Sequence, residues 1–227
     1  MNRQGPGKIG WADYTWSPVT GCKHACQYGP RKKCYADLIA QRIYKEKFEP
    51  TFRPERLGEP VKLKVPSKIF VCDMGDLFGE WVPDVWILKV LRACYDAPQH
   101  IYQFLTKNPE RYLTLDEFLP NNSWIGTTIE KEEFYKSRSA PFWKVRDDLV
   151  RFVSMEPLLG PMPVDDAFDW IIIGELTGKA MTQDEVHQVR VWAQEIIDQA
   201  GELKIPVFVK NALGAIFPQR EFPKVKT

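Results

Sequence analysis

No run of about 20 apolar residues, the length a membrane-crossing helix needs, occurs in this sequence. No N-terminal apolar stretch of signal-peptide length occurs either. Both absences predict a cytoplasmic protein without a membrane partner. Repeats and low-complexity tracts are also missing, so the 227 residues read as a single domain over 1–227. An excess of one charge is lacking: 31 Lys and Arg stand against 30 Asp and Glu. No global field therefore draws the chain to nucleic acid or membrane, although a local basic patch remains open. Cysteine is sparse, with five residues, an odd number. Three of them fall within thirteen residues, which is not how a disulfide framework is spread, and in a reducing compartment such clusters more often bind metal.

What is present is a core and a regular alternation. Hydrophobic residues make up 44% of the chain, ordinary for a globular protein. Apolar runs at Lys68–Met74, His100–Thr106, Ser123–Ile129, Leu149–Met155, Asp169–Gly174 and Ile205–Lys210 are rich in Ile, Val and Phe with little polar alternation. That pattern predicts strands covered on both faces, as in a parallel sheet. A short strand near Tyr14–Val19 brings the count to about seven. Helical patterns fall between: Cys34–Lys47, Pro83–Ala97, a start at Asn108-Pro109, and a capping box at Thr182–Glu185 followed by Val186, Val189, Ala193, Ile196, Ile197 and Ala200. Short links between such elements make right-handed βαβ units. The expected fold is α/β, a partial (β/α)6-7 barrel with mostly parallel strands; a doubly wound open sheet is the alternative. Either places function at the carboxyl ends of the strands. Phe48–Pro66, with four prolines, reads as a long surface connection, and the tail from Pro218 as irregular.

The chemistry concentrates in Thr20-Gly-Cys22-Lys-His-Ala-Cys26-Gln-Tyr-Gly-Pro-Arg-Lys-Lys-Cys34-Tyr-Ala-Asp37. Closely spaced thiolates let one loop wrap a metal centre. Three cysteines leave one iron of a four-iron cube without a protein ligand. Structural zinc usually wants four ligands, and His24 sits at an awkward spacing for the fourth. The residues alone leave a structural zinc loop open. Cys72 and Cys94 read as core positions.

Without Gly29–Lys33 the loop reads Cys-Lys-His-Ala-Cys-Gln-Tyr-Cys-Tyr-Ala. That resembles the three-cysteine signature of radical S-adenosylmethionine (SAM) enzymes. A closer likeness is to a phage-associated branch, at Trp11–Cys22, Asp76-Leu-Phe, Leu105-Thr-Lys, Glu156–Gly160 and Ile172-Ile-Gly-Glu175. The family spaces its ligands by three residues and then two; here the gaps are three and seven. The resemblance implies a 4Fe-4S cluster on Cys22, Cys26 and Cys34, with S-adenosyl-L-methionine chelated at the free iron. It implies reductive cleavage of that cofactor to a 5′-deoxyadenosyl radical, and a one-electron donor of flavodoxin or ferredoxin type. Gly75-Asp76 falls where the family holds the cofactor's amino group, with Asp in place of Glu. A turn aspartate is the plainer reading of the same residue.

The other charged residues are read from strand order. Lys107, Glu130, Glu156, Glu175 and Lys210 each end a predicted strand, so they should converge on one barrel mouth. Glu130 is a candidate for the cofactor ribose and Lys107 for its carboxylate; Glu156, Glu175 and Lys210 are candidates for substrate. Arg31-Lys32-Lys33 would suit the phosphate of a nucleotide or nucleic-acid substrate, if not simply a solvated loop. Two other classes compete: a zinc- or cluster-stabilised nucleic-acid-binding module, and a non-catalytic iron–sulfur scaffold or sensor.

Overall fold

The computed structural model describes residues 1–5, 8–28, 34–176, 181–210 and 213–226. The basic run Arg31–Lys33 lies outside the described residues. In chain order the elements are β1 (Asn2–Arg3), β2 (Tyr14–Trp16), β3 (Val19–Thr20), α1 (Tyr35–Ile43), β4 (Thr51–Phe52), α2 (Glu59–Lys62), β5 (Lys68–Val71), α3 (Asp84–Tyr95), β6 (Ile101–Thr106), α4 (Glu110–Leu115), β7 (Ser123–Thr128), α5 (Tyr135–Ser139), β8 (Val150–Met155), β9 (Trp170–Ile173), α6 (Gln183–Leu203) and β10 (Val207–Val209). Each of the six apolar runs yields a strand, β5 to β10.

The main sheet runs β1-β2-β5-β6-β7-β8-β9-β10. All its pairings are parallel except the antiparallel edge pair β1–β2. From β5 on, each strand is added beside its predecessor in sequence. That single winding is the order of a barrel, not the reversal of a doubly wound sheet. Among the described residues β10 pairs with β9 and no strand of the other edge, so the barrel is partial.

Successive residues of a strand face opposite sides, and the two sides here have separate cores. Ile171, Ile173, Val153 and Phe104 pack outward with Val90, Leu91, Val189 and Ile196 of the helices. Phe70, Trp124, Phe152, Trp170 and Ile172 pack on the other side with Trp11. Trp11 lies 4.6 Å from the Phe70 ring, centroid to centroid. Burial on both faces is why these strands lack polar alternation. The capping box forms as its sequence demands: Thr182 accepts from the Glu185 amide and Glu185 from the Thr182 amide.

Two expectations need correction. Phe48–Pro66 is structured, holding β4, a short 3-10 turn and α2. Backbone donors and acceptors explain it: β4 pairs with β3, the Arg53 amide donates to Pro18 O, and the Trp16 indole donates to Arg56 O. Cys72 is buried as expected but stands beyond β5 in a turn, with φ at +62°. The tail has no regular element, yet Val209 N donates to Gln219 O and Glu221 N to Val207 O, so it lies against the open edge of β10.

Candidate active site

β3 delivers the chain into the cysteine loop at Gly21. Its φ is +88°, and a Cβ there would lie 2.2 Å from the Glu49 carbonyl oxygen. Gly75 bridges to Gly21 in parallel fashion, and a Cβ on Gly75 would lie 2.8 Å from Gly21 O. Only glycine at both positions lets the two backbones close. This stitch fastens the root of the cysteine loop to the carboxyl end of β5. Ala25, with φ at +50°, curls the loop between Cys22 and Cys26.

Above the strand ends opens a cavity of about 780 Å³, within the usual range for a small-molecule site. Cys22, Cys26 and Cys34 line it, all half-buried. Gly75, Asp76, Lys107, Glu156, Glu175 and Lys210 line it too. The cavity thus gathers six of the seven strand-end residues together with the thiols. Glu130, the seventh, stands behind Lys107 and is its ion-pair partner.

Asp76 is 5% exposed and heavily engaged. Its Oδ2 accepts from His24 Nε2 at 2.7 Å, Thr106 Oγ1 at 3.0 Å and the Lys107 amide at 3.0 Å; its Oδ1 accepts from the Phe78 amide at 3.0 Å. A carboxylate has about four lone-pair sites, so Asp76 is first of all the residue that ties β5, β6 and the cysteine loop together. His24 is turned to this carboxylate, with its ring edge-on to Trp81 at 4.7 Å.

A second set centres on Glu130, which pairs with both Lys107 and Arg138. Lys107 Nζ also donates to the Tyr28 hydroxyl at 3.1 Å. Burial holds the Lys107 ammonium and the Arg138 guanidinium below their ordinary pKa values. On the far side Lys210 pairs with Glu156. Gly174 lacks a side chain where a Cβ would lie 2.9 Å from the Glu156 carboxyl carbon. Burial raises the Glu175 carboxyl above its usual range.

Burial pushes the Cys22 thiol up to about 12, and raises that of Cys34. Ligand-free, these thiols hold their protons, and binding a cation would release them. Among the described residues no three His, Cys, Asp or Glu side chains crowd one point as ligands of a single ion do. A cube takes one thiolate per iron and spreads its ligands more widely.

Sequence reasoning missed Tyr28, Arg138, Thr106 and the true partner of His24. Tyr28 had a signal, an aromatic placed between the cysteines. Arg138 and Thr106 had none, since only the folded backbone brings them to Glu130 and Asp76.

A sequence profile described as "Protein of unknown function (DUF5131)" matches residues 6–224. The chain belongs to the DUF5131 family. No curated protein sequence matches this DUF5131 chain. Solved structures do. Spore photoproduct lyase complexed with dinucleoside spore photoproduct superposes with a TM-score of 0.53 at 13% identity, over 82% of this chain and 62% of that one. A double mutant of that lyase with bound AdoMet and dinucleoside spore photoproduct gives a TM-score of 0.53 at 13% identity, over 93% of this chain and 62% of that one. The DUF5131 chain therefore has the fold of these proteins and spans about 62% of their length.

Proposed function

We propose that this DUF5131 chain is a radical S-adenosylmethionine enzyme with one 4Fe-4S cluster on Cys22, Cys26 and Cys34, acting on a nucleotide or nucleic-acid substrate. The observation that carries the reading is the convergence of three loop thiols and the charged strand ends on one cavity. A solved structure of the lyase of like fold has AdoMet and dinucleoside spore photoproduct bound. When bound, the cluster supplies one electron to the cofactor's sulfonium, giving methionine and a 5′-deoxyadenosyl radical.

The chain's own residues would do the following. The thiols of Cys22, Cys26 and Cys34 would give up protons and hold the iron. Asp76 fixes the loop over the sheet through His24, and its Oδ1, with a single partner among the described residues, has capacity for the cofactor's ammonium. Lys107, beside Tyr28, suits the cofactor carboxylate; Glu130 behind it does not line the cavity and holds Lys107 and Arg138 in place rather than meeting a ribose hydroxyl. Glu156, Glu175 and Lys210, across the cavity, are left for substrate. Trp11 and Phe70 form an apolar wall that keeps bulk water from the reacting atoms. A flavodoxin- or ferredoxin-type protein supplies the electron.

Anaerobic reconstitution should load about four irons and four sulfides per chain. Cys22→Ala, Cys26→Ala or Cys34→Ala should abolish loading, whereas Cys94→Ala should keep it. With dithionite and S-adenosylmethionine the loaded protein should release 5′-deoxyadenosine slowly without substrate. Stoichiometric zinc in place of iron would overturn the reading in favour of the metal-stabilised binding module. A full, reducible cluster that releases no 5′-deoxyadenosine would leave the sensor.

A further inference from the structure

At the carboxyl ends of β8, β9 and β10 the cavity carries three charged side chains, Glu156, Glu175 and Lys210. Backbone bonding sets them side by side. The Lys210 amide donates to Ile173 O at 2.8 Å, which holds the end of β10 level with the end of β9. Glu156 reaches from β8 over Gly174, where a Cβ would lie 2.9 Å from its carboxyl carbon. There it pairs with the Lys210 ammonium. The pair therefore lies beside the root of Glu175, the next residue along.

The charged groups of the cavity wall are not equally satisfied. Asp73 accepts from Ser17, Asp76 has four partners, and Lys107 is paired with Glu130. Glu175 is half-buried, yet makes no hydrogen bond or ion pair among the described residues. Arg190 of α6 acts on it only at a distance and does not line the cavity. A half-buried carboxylate without a donor costs free energy that a bound donor would return. An ammonium has three N–H donors, and Lys210 gives one to Glu156, so donors remain. The wall thus offers, side by side, a carboxylate that can accept twice and an ammonium that can donate. Ile9, Trp11, Phe70 and Leu105 supply apolar surface for the faces of a flat ring.

We infer that Glu175 and Lys210 form a guanine subsite, in which Glu175 accepts from the N1 and N2 hydrogens of the base and Lys210 donates to O6. The inference deepens the reading above and rests on its nucleotide or nucleic-acid substrate. Guanine sets a carbonyl and two neighbouring N–H donors along one edge, the complement of what this wall presents. Lysine on guanine O6 is a frequent pairing in nucleic-acid recognition. Adenine and cytosine each give a carboxylate one donor group and place a ring lone pair beside it. Uracil and thymine flank their single N–H with two carbonyls, which a carboxylate repels.

The test is calorimetry in saturating S-adenosylmethionine, on reconstituted and on metal-free protein. The probes are the 5′-monophosphates of guanosine, inosine, adenosine, cytidine and uridine. Guanosine monophosphate should bind tightest. Inosine monophosphate, which lacks the N2 amino group, should bind about tenfold or more weaker. Glu175→Gln should weaken guanosine monophosphate about tenfold or more and erase its advantage over inosine monophosphate. A residue that merely shapes the wall would lower all five alike. The double variant Glu156→Gln/Lys210→Met, which removes the ion pair together, should weaken the guanosine and inosine compounds in parallel, since both carry O6. Equal affinity for the five, another base bound tightest, or unchanged guanosine affinity in either variant overturns the inference. Binding of none of them overturns it together with the nucleotide substrate. A guanosine preference in a protein that loads no iron upholds the subsite and overturns the radical reading instead.

Discussion

The strands β6 to β9 and the segment from Cys22 to Ile43 face the same cavity but are built by opposite means. In the strands nearly every residue is buried: all six of β7 and all four of β9. In the described part of the cysteine segment only Ala36 and Ala40 are buried. The sheet carries its charged groups already paired, Lys107 and Arg138 with Glu130 and Lys210 with Glu156. The loop carries half-buried thiols, and burial raises those of Cys22 and Cys34 above the ordinary thiol value. One half of the site is made by folding; on the proposed reading the other would be completed by the metal it binds.

The largest effect should divide the two halves outright. Cys26→Ala should lose all reconstituted iron, yet shift unfolding of the metal-free protein by only about 0.5 kcal/mol or less in urea denaturation. A large loss of metal-free stability would erase the division. Next, Trp170→Ala, at a fully buried position of β9, should cost about 3–5 kcal/mol. Leu38→Ala, on the exposed side of α1, should cost about 0.5 kcal/mol or less in the same assay. Glu130→Ala should cost about 3 kcal/mol, because two half-buried cations lose their buried partner. Glu130→Gln should recover part of that while still weakening S-adenosylmethionine binding by calorimetry, through a loosened Lys107; full wild-type affinity would separate Glu130 from cofactor binding.

The smallest effect is a pH trend. Burial raises the Asp73 carboxyl above its ordinary value, although Ser17 hydrogen-bonds to it. The folded state then holds this proton more tightly than the unfolded state. Its contribution is full at acid pH and is lost as pH rises from about 4 through the elevated value. Asp73→Asn should flatten that part of the stability–pH curve, read by thermal melts across the interval. An unchanged curve would show that another group sets the slope.

Much of the sheet was legible because a parallel strand has to be apolar on both faces, and such runs stand out in the sequence. The gathering of Lys107, Glu156, Glu175 and Lys210 followed from strand order alone, since parallel strands present their carboxyl ends together. Asp76 was legible as a residue at the strand-end mouth, where it lines the cavity, but not as a hub. Its donors come from residues 24, 78, 106 and 107, and no spacing rule links the first of these to the rest. Arg138 was hidden because its basis is a turn of α5 that follows no motif. The β3–β4 pair was hidden because two-residue strands leave no periodicity to read.

The tail laid along β10 has a consequence for how any partner can attach. At that edge, backbone groups of Val207 and Val209 are already taken by Gln219 and Glu221. The opposite edge is β1, only two residues long. A sheet so finished offers little template for strand addition, the route by which extended peptides and misfolded neighbours recruit a sheet. Association with this chain is thereby steered to side-chain surfaces, and the same seal guards a strongly apolar sheet against polymerising with its own copies.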